Sequence, residues 1–257
     1  MSLPGIDERP GRPLALGLAW LALLALACWA WFAFQGAAPV RPITGGGTSL
    51  PLPTPLRTGE VVLLFAMWSG LCMALMLPAA AGAVFVYLRV ARCRVAVRWP
   101  RLRTGLFAFG CLLAWTGFAA LVTLLHWALH DAGLLEPELA ARLPALGLTL
   151  VAAGAWQWTP AKHASLQHCR APLPGVLADW RNGILGPLWQ GVAHGRACLG
   201  CCWLLVLLLL AGDLGNPAIM AAVGLLALAE LRLEEGSVAA CVAGVVMVAW
   251  GTLLLFP

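Results

Sequence analysis

The stretch HGRACLGCCWLLVLLLL, residues 194–210, places one histidine, one arginine and three cysteines ahead of an almost unbroken run of leucines. Together with the residues before it, the run is long enough for a helix that crosses a bilayer, which takes about 20 apolar residues. The sulfur-bearing and ionisable residues would then lie in or beside lipid. Ionisable groups are costly in such a position and are usually functional, so this stretch predicts both the fold and the site.

The rest of the chain has the composition of a membrane protein. Of its 257 residues 61% are hydrophobic and 11% are charged, whereas soluble domains carry about 25% charged residues. The apolar runs do not alternate as barrel strands would, so the backbone in lipid should be helical. We therefore expect an all-α, polytopic transmembrane helix bundle of six or seven spans. The seven candidate windows are 14–34, 61–88, 105–130, 144–162, 187–211, 217–231 and 237–256.

The chain divides into three predicted regions. Residues 1–35 form an N-terminal tail and an anchor helix, because the apolar stretch exceeds 20 residues and no clear small-residue cleavage site follows it. Residues 36–60, rich in glycine and proline, form an external linker. Residues 61–257 form the helix bundle that contains the candidate site.

Basic residues concentrate on one side of the predicted bundle. Because cytoplasmic loops are enriched in lysine and arginine, the N-terminus is expected in the cytoplasm and, with seven spans, the C-terminus outside. The net charge of +5 reflects this topology beside anionic lipid rather than nucleic-acid binding. The basic turns contain Arg89, Arg92, Arg94, Arg98, Arg101, Arg103, Lys162, Arg170 and Arg181.

Four residues of the opening stretch share one helical face. Cys198, Cys201 and Cys202 follow His194 by four, seven and eight positions, a spacing that places them in one stripe. An imidazole with thiolates suits copper(I), zinc or iron. One straight helix cannot aim all four at a single ion, so another helix must supply further ligands. The alternative is that small cysteines and glycines only let helices pack closely.

A second sulfur cluster lies in MWSGLCMALMLP, residues 67–78. Cys72, Met73 and Met76 fall on one face at a depth near that of Cys198, and thioethers favour copper(I) over zinc. We therefore predict a shared metal site in which copper is favoured, with methionine as core filler as the alternative. Pro78 is expected to kink this helix.

A third cluster lies in AGAWQWTPAKHASLQHCRAP, residues 153–172. Pro160 is expected to break or kink the fourth span. His163, His168 and Cys169 would then lie at the cytoplasmic interface and pass metal to His194. A solvated turn is the alternative.

Four more polar residues are expected to support the site. Arg196 either balances thiolate charge or reaches back to the membrane surface. Glu230 would pair with Lys162, Arg196 or Arg232. Gln157 lies near the inner end of the fourth window, and Asn216 precedes the sixth.

The segment HWALHD, residues 126–131, is a separate candidate. His126 and His130 have the i, i+4 spacing of a surface zinc or copper(II) site with Asp131 beside them. An interfacial helix end without metal is the alternative.

These motifs resemble those of a bacterial family of integral membrane proteins of unknown function, described as predicted metal-binding proteins. The resemblance covers residues 60–235 and implies a multi-pass, metal-binding protein of the inner (plasma) membrane, without implying a substrate. Ser165 departs from the pattern, because the family usually has cysteine there, and this implies altered or weaker metal binding. The matching motifs are Met-Trp…Met-Leu-Pro from Met67, Gln-x-Thr-Pro-x-Lys…Cys-Arg-x-Pro from Gln157 and His-Gly-x-x-Cys-x-Gly-Cys-Cys-Trp from His194.

Three functions fit these patterns. The preferred one is metal homeostasis, delivery or maturation of a partner, with copper as the metal and a donor or acceptor protein as partner. A thiol-disulfide oxidoreductase using Cys198 and Cys201 is the second, and a metal transporter with a polar path is the third. A hydrolase is not expected, because the chain lacks paired carboxylates, a nucleophile elbow and a phosphate loop. The sequence leaves open whether identical copies associate.

Overall fold

The computed structural model describes residues 58–94, 97–132, 139–211, 217–232 and 236–256. Within these ranges the chain forms eight helices and no strand, so the all-α class is confirmed for this part. The predicted window 14–34, residues 36–57 of the predicted linker and Asn216 lie outside the described residues, whereas the last three linker positions, 58–60, belong to the first helix. The helices are α1 (Thr58–Cys93), α2 (Pro100–Asp131), α3 (Leu139–Gln157), α4 (Pro160–Arg170), α5 (Pro172–Ala178), α6 (Gly186–Ala211), α7 (Pro217–Arg232) and α8 (Gly236–Leu255).

Among the described residues, four helical segments are long and apolar enough to cross a membrane: Gly59–Leu77, Pro100–Asp131, Gly186–Ala211 and Val238–Leu255. Their outward faces carry large apolar side chains, a surface typical of a membrane or protein contact. The apolar part of α7, Ala221–Leu231, is shorter. Exposed apolar residues on α2 and α8 include Phe109, Leu121, Leu124, Val246, Trp250 and Leu253.

The structure confirms the predicted break at Pro160 and corrects the end of the predicted window 144–162. Helix α3 ends at Gln157, and α4 begins at Pro160. The Thr159 side chain caps α4 by accepting a hydrogen bond from the Lys162 backbone N–H at 3.2 Å, and proline is favourable at the first helical position. The following segment was predicted as a turn but forms two short helices, α4 and α5. Helix α1, in contrast, continues unbroken through Pro78.

Helix α6 lies closely against α2 through glycine. A Cβ atom added at Gly191 would overlap the carbonyl of Phe107, and one added at Gly110 would overlap the carbonyl of Leu188. The two backbones can therefore approach this closely only with glycine at both positions. Small residues allow close contacts of this kind between helices in membranes. This contact fixes the position of α6, the helix with the candidate ligands.

Replacing Gly191 with alanine should destabilise the bundle, because the α2 and α6 backbones would have to separate. Overpacking of this kind costs about 1–3 kcal/mol. The matched control is Gly117→Ala on α2, where an added Cβ meets nothing within 4 Å. Thermal unfolding of the purified protein in detergent should show a lower midpoint for Gly191→Ala and no decrease for Gly117→Ala. Equal midpoints for the two variants would contradict the close approach.

Candidate metal centre

Four cysteines from two helices form what we call the thiol cluster: Cys169, Cys198, Cys201 and Cys202. Helix α6 turns the face with Cys198 and Cys202 inward, and both side chains are buried, while Cys201 is half-buried. Cys169 is buried on α4. No thiol of this cluster is fully exposed, and none of the four forms a disulfide bond.

Cys198 is the centre of the thiol cluster. Its Sγ lies 3.0 Å from the Cys169 Sγ and 3.5 Å from the His194 Nε2. Cys169 also lies within hydrogen-bonding reach of Cys201. The structure therefore brings together donors from α4 and α6. A second helix is needed because one straight helix cannot aim all of its own donors at a single ion.

A thioether from α1 reaches the other side of the cluster. The Met76 Sδ lies 3.5 Å from the Cys202 Sγ. Cys72 is completely buried on the same helix and Met73 is half-buried. Within the part of the chain that the structure describes, no hydrogen bond joins Cys72 or Met73 to these thiols. Met76 is therefore the residue of this predicted group that contacts the cluster.

A buried ion pair lies beside the cluster. The Lys162 Nζ lies 2.6 Å from the Glu230 Oε2, and both side chains are nearly inaccessible. The ammonium also donates to the carbonyl of Cys201, and Gln157 lies next to the Glu230 carboxylate. Arg170 donates through Nε to the Glu230 carbonyl at 2.8 Å. These bonds join α4, α6 and α7.

One charge assignment from the sequence needs correction. Lys162 was counted among the basic residues of a cytoplasmic turn, but it is fully buried and lies close enough to Cys201 and Cys202 for charge–charge interaction. Arg196 has an exposed side chain, which agrees with the alternative in which it reaches the surface. A buried lysine requires a partner, and Glu230 is the acid available to it in an apolar segment.

The histidines of α4 differ in position. The His168 ring centroid lies 5.1 Å from that of His194, whereas the buried Nε2 of His163 has no hydrogen-bond partner among the described residues. Burial, followed by the neighbouring His194, lowers the pKa of His168 below its usual value. The lower pKa favours the neutral imidazole, which is the form that binds metal.

The predicted surface site at residues 126–131 is wrong in its placement of His126. The imidazole is buried, and its Nδ1 accepts a hydrogen bond from the Trp68 Nε1 at 3.2 Å. His130 is half-buried and Asp131 is exposed. His126 therefore contacts α1 instead of solvent.

Ser165 faces α6 directly. A Cβ atom added at Gly200 would lie 2.5 Å from the Ser165 Oγ. Ser165 lies between Lys162 and Cys169 on α4, so a cysteine at this position would belong to the same face. At the α4–α6 contact this chain therefore has the Ser165 hydroxyl, where the resemblance had led us to expect a sulfur in related proteins.

Cys111 lies near the thiol cluster although its sequence position alone suggests only a small packing residue. It is buried on α2 close enough to Cys198 for charge–charge interaction. The glycine contact between α2 and α6 produces this proximity, because Gly195 lies against the Cys111 backbone. No spacing within α2 alone could reveal it.

The donor set fits copper(I) better than a closed zinc site. Within the described ranges, no three His, Cys, Asp or Glu side chains already enclose a metal position. Instead, donors touch in a chain from His194 through Cys198 to Cys169. Structural zinc takes four ligands in a tetrahedron, whereas soft copper(I) accepts as few as two sulfur donors and is selected by thiolate and thioether ligands.

The fold and the side chains define the class: a helical protein with long apolar helices of membrane type and a buried cluster of thiols. A family model described as PpoB2: Copper chaperone matches residues 65–254, and the chain belongs to this copper chaperone family. The match supports the copper-related function predicted from the sequence, and it spans the whole thiol cluster. No curated protein and no solved structure matches the chain.

Replacing Lys162 with methionine should destabilise the protein strongly, because it leaves the buried Glu230 carboxylate without its cation. Breaking a buried ion pair from one side costs about 3–5 kcal/mol, whereas replacing both partners by apolar residues is often neutral. The double variant Lys162→Met/Glu230→Leu should therefore recover most of the loss. The midpoint of thermal unfolding in detergent measures both effects. Arg92→Met, which removes an exposed cation, is the control. A wild-type midpoint for Lys162→Met would contradict the ion pair.

Proposed function

We propose that this chain is a multi-pass protein of the inner (plasma) membrane that binds copper(I) at the thiol cluster and delivers it to a partner protein. The observation that carries the proposal is the contact between Cys169 and Cys198, 3.0 Å apart on separate helices, with His194 beside them. Two thiolates brought together from distant segments form a two-coordinate copper(I) site. The metal is the cargo of this protein.

The chemistry of the surrounding groups supports copper(I) as the cargo. Sulfur and imidazole ligands favour it over harder ions, and Met76 adds a thioether next to Cys202. Thiolates carry negative charge, which is costly in an apolar interior. The neighbouring Lys162 ammonium offsets that charge, so Lys162 supports thiolate formation while remaining outside the ligand set.

The arrangement of the donors suits delivery better than permanent storage. A chaperone must bind copper and then release it to an acceptor. Donors that touch pairwise let the ion exchange one sulfur for the next without leaving the protein, whereas a closed cage of four ligands would hold it. The donors come from one chain, so the site does not need a second copy.

The membrane part of the proposal rests on helix length and surface. Four helical segments can span a bilayer, and their outward faces are apolar. We place the remaining predicted spans in the same membrane, six or seven in total, with the N-terminus in the cytoplasm. Surrounding lipid then covers the apolar outer faces of α2 and α8.

The structure also supports a second candidate, thiol-disulfide exchange. The relevant pair is Cys169 with Cys198, because Cys201 instead donates to the Cys198 carbonyl at 2.9 Å. Formation of a disulfide would join the two sulfurs at about 2.0 Å. A metal transporter is less supported. Gln157 and Glu230 would have to line its polar path, but both side chains are buried beside Lys162.

Copper binding by cysteine variants tests the proposal. Cys169→Ser and Cys198→Ser should each weaken copper(I) affinity by more than about tenfold, about 1.4 kcal/mol, because each removes one of two paired thiolates. Competition with a chromogenic copper(I) chelator measures the affinity. Cys241→Ser on α8 is the matched control, because that thiol is exposed and far from the cluster in sequence. Wild-type affinity in both test variants would overturn the assignment.

Thiol trapping separates copper binding from redox cycling. If copper occupies the cluster, an anaerobic copper(I) chelator alone should expose Cys169 and Cys198 to labelling. If a disulfide forms, labelling should instead require a reductant, and the chelator should have no effect. The second result would favour the oxidoreductase and contradict the copper site.

A further inference from the structure

A cavity of about 230 Å³ lies directly beside the thiol cluster. His168, Gln190, His194 and Arg196 line it, and Phe107 closes one side. The His194 ring connects the cavity to the cluster, because its Nε2 lies 3.5 Å from the Cys198 Sγ. The cavity is therefore an approach to the buried thiols.

We propose that this cavity is the loading port of the copper site, that it accepts copper(I) as an anionic thiolate complex, and that His168 is the first protein ligand. This inference rests on the proposed function and names the form in which its cargo arrives. The His168 and His194 ring centroids are 5.1 Å apart, so an ion bound by the first ring is within reach of the second. Cys198 and then Cys169 follow along the same line.

The position of His168 is held by its contact with α5. A Cβ atom added at Gly175 would lie 2.6 Å from the His168 Cε1, so this edge of the ring lies against a helix turn that has no side chain. Gly175 itself lines the cavity. The imidazole is thus kept at the cavity wall, beside His194.

The polar lining of the cavity includes an unsatisfied group. Gln190 is 5% exposed; its Nε2 donates to the Val176 carbonyl at 3.4 Å, but its Oε1 has no partner among the described residues. A buried amide oxygen without a donor is costly. A bound molecule with N–H or ammonium groups would satisfy it.

Charge at this end of the molecule favours an anionic carrier. Arg196 and Asp179 both line the cavity. The adjacent Trp180 is covered by the guanidinium groups of Arg94 and Arg103, at 4.4 and 5.4 Å from its ring centre. This end of the molecule therefore has three guanidinium groups near one carboxylate, and an excess of positive charge around a cleft steers anionic ligands into it. A copper(I) complex with two thiolates is negatively charged.

Loading by this route is a ligand exchange without a redox step. A bond from copper(I) to a carrier thiolate breaks as a bond to the His168 imidazole forms, and the released thiolate takes a proton from water. Transfer to Cys198 then exchanges imidazole for thiolate, and the Cys198 proton leaves to water in the cavity. Cys169 next displaces the second carrier thiolate, which takes up the proton that Cys169 loses. Copper remains monovalent throughout.

Stopped-flow loading of the full-length protein in detergent tests the proposal with two copper(I) sources. One is the anionic bis-glutathione complex and the other is the cationic acetonitrile complex. Arg196→Gln should slow loading from the anionic source severalfold, because steering contributes about 10- to 1000-fold in total, and should not slow loading from the cationic source. His168→Ala should slow loading from both.

Added salt supplies an independent readout. Loading of the wild type from the anionic complex should slow as ionic strength rises, because screening shortens the range of the arginine field. The matched controls are His130→Ala, at the far end of α2, and Arg142→Gln, near the beginning of α3. Both should load at the wild-type rate.

The outcomes distinguish this inference from the proposed function. Loading of Arg196→Gln and His168→Ala at the wild-type rate from the anionic source would overturn the loading port, while normal final copper content would leave the thiol cluster intact. Loss of final copper content in Cys198→Ser, with slow loading in the port variants, supports both. A wild type that takes up no copper from either source would overturn both.

Discussion

The contact between Lys162 and Glu230 is the interaction on which the arrangement of the site depends. Lys162 lies on α4, Glu230 on α7, and the same ammonium donates to the Cys201 carbonyl on α6. An unpaired charge in this interior would cost several kcal/mol, so the three helices must meet here. Once this contact fixes the position of α4, the part of α4 that follows Lys162 brings Cys169 to Cys198.

Close packing of α6 against α2 supplies the second constraint. Glycines at the crossing let the backbones approach, and this brings Cys111 to the level of Cys198. The result is a sulfur-rich interior with the Lys162–Glu230 ion pair beside it. Such an interior favours a soft metal, because thiolate and thioether ligands select copper(I).

Much of the architecture follows from the sequence, because apolar run length reports span length directly. Four predicted windows begin and end within five residues of the observed helices: 105–130, 187–211, 217–231 and 237–256. The stripe on α6 was likewise visible as a spacing. The two short helices after Gln157 were not predicted, because the charged residues of this segment suggested a solvated turn. The signal available there was the Thr159–Pro160 pair, which starts a helix, and a lysine three residues inside it.

Contacts between distant segments account for the remaining differences. His126 was assigned to the surface because its own helix suggests an exposed pair, but Trp68 on α1 covers it. Met76 contacts the cluster whereas Met73 does not bond to it, a distinction set by the rotation of α1. Cys198 pairs with Cys169 instead of Cys201 because of where α4 lies relative to α6. The spacing of residues within α6 carries no information about that position.

X-ray absorption spectroscopy at the copper edge, on the copper-loaded protein under anaerobic conditions, tests the central claim most directly. The account predicts copper(I) with a first shell dominated by two sulfur donors, with imidazole nitrogen as a minor contributor. A first shell of only nitrogen and oxygen donors would contradict it, because the metal would then lie outside the thiol cluster.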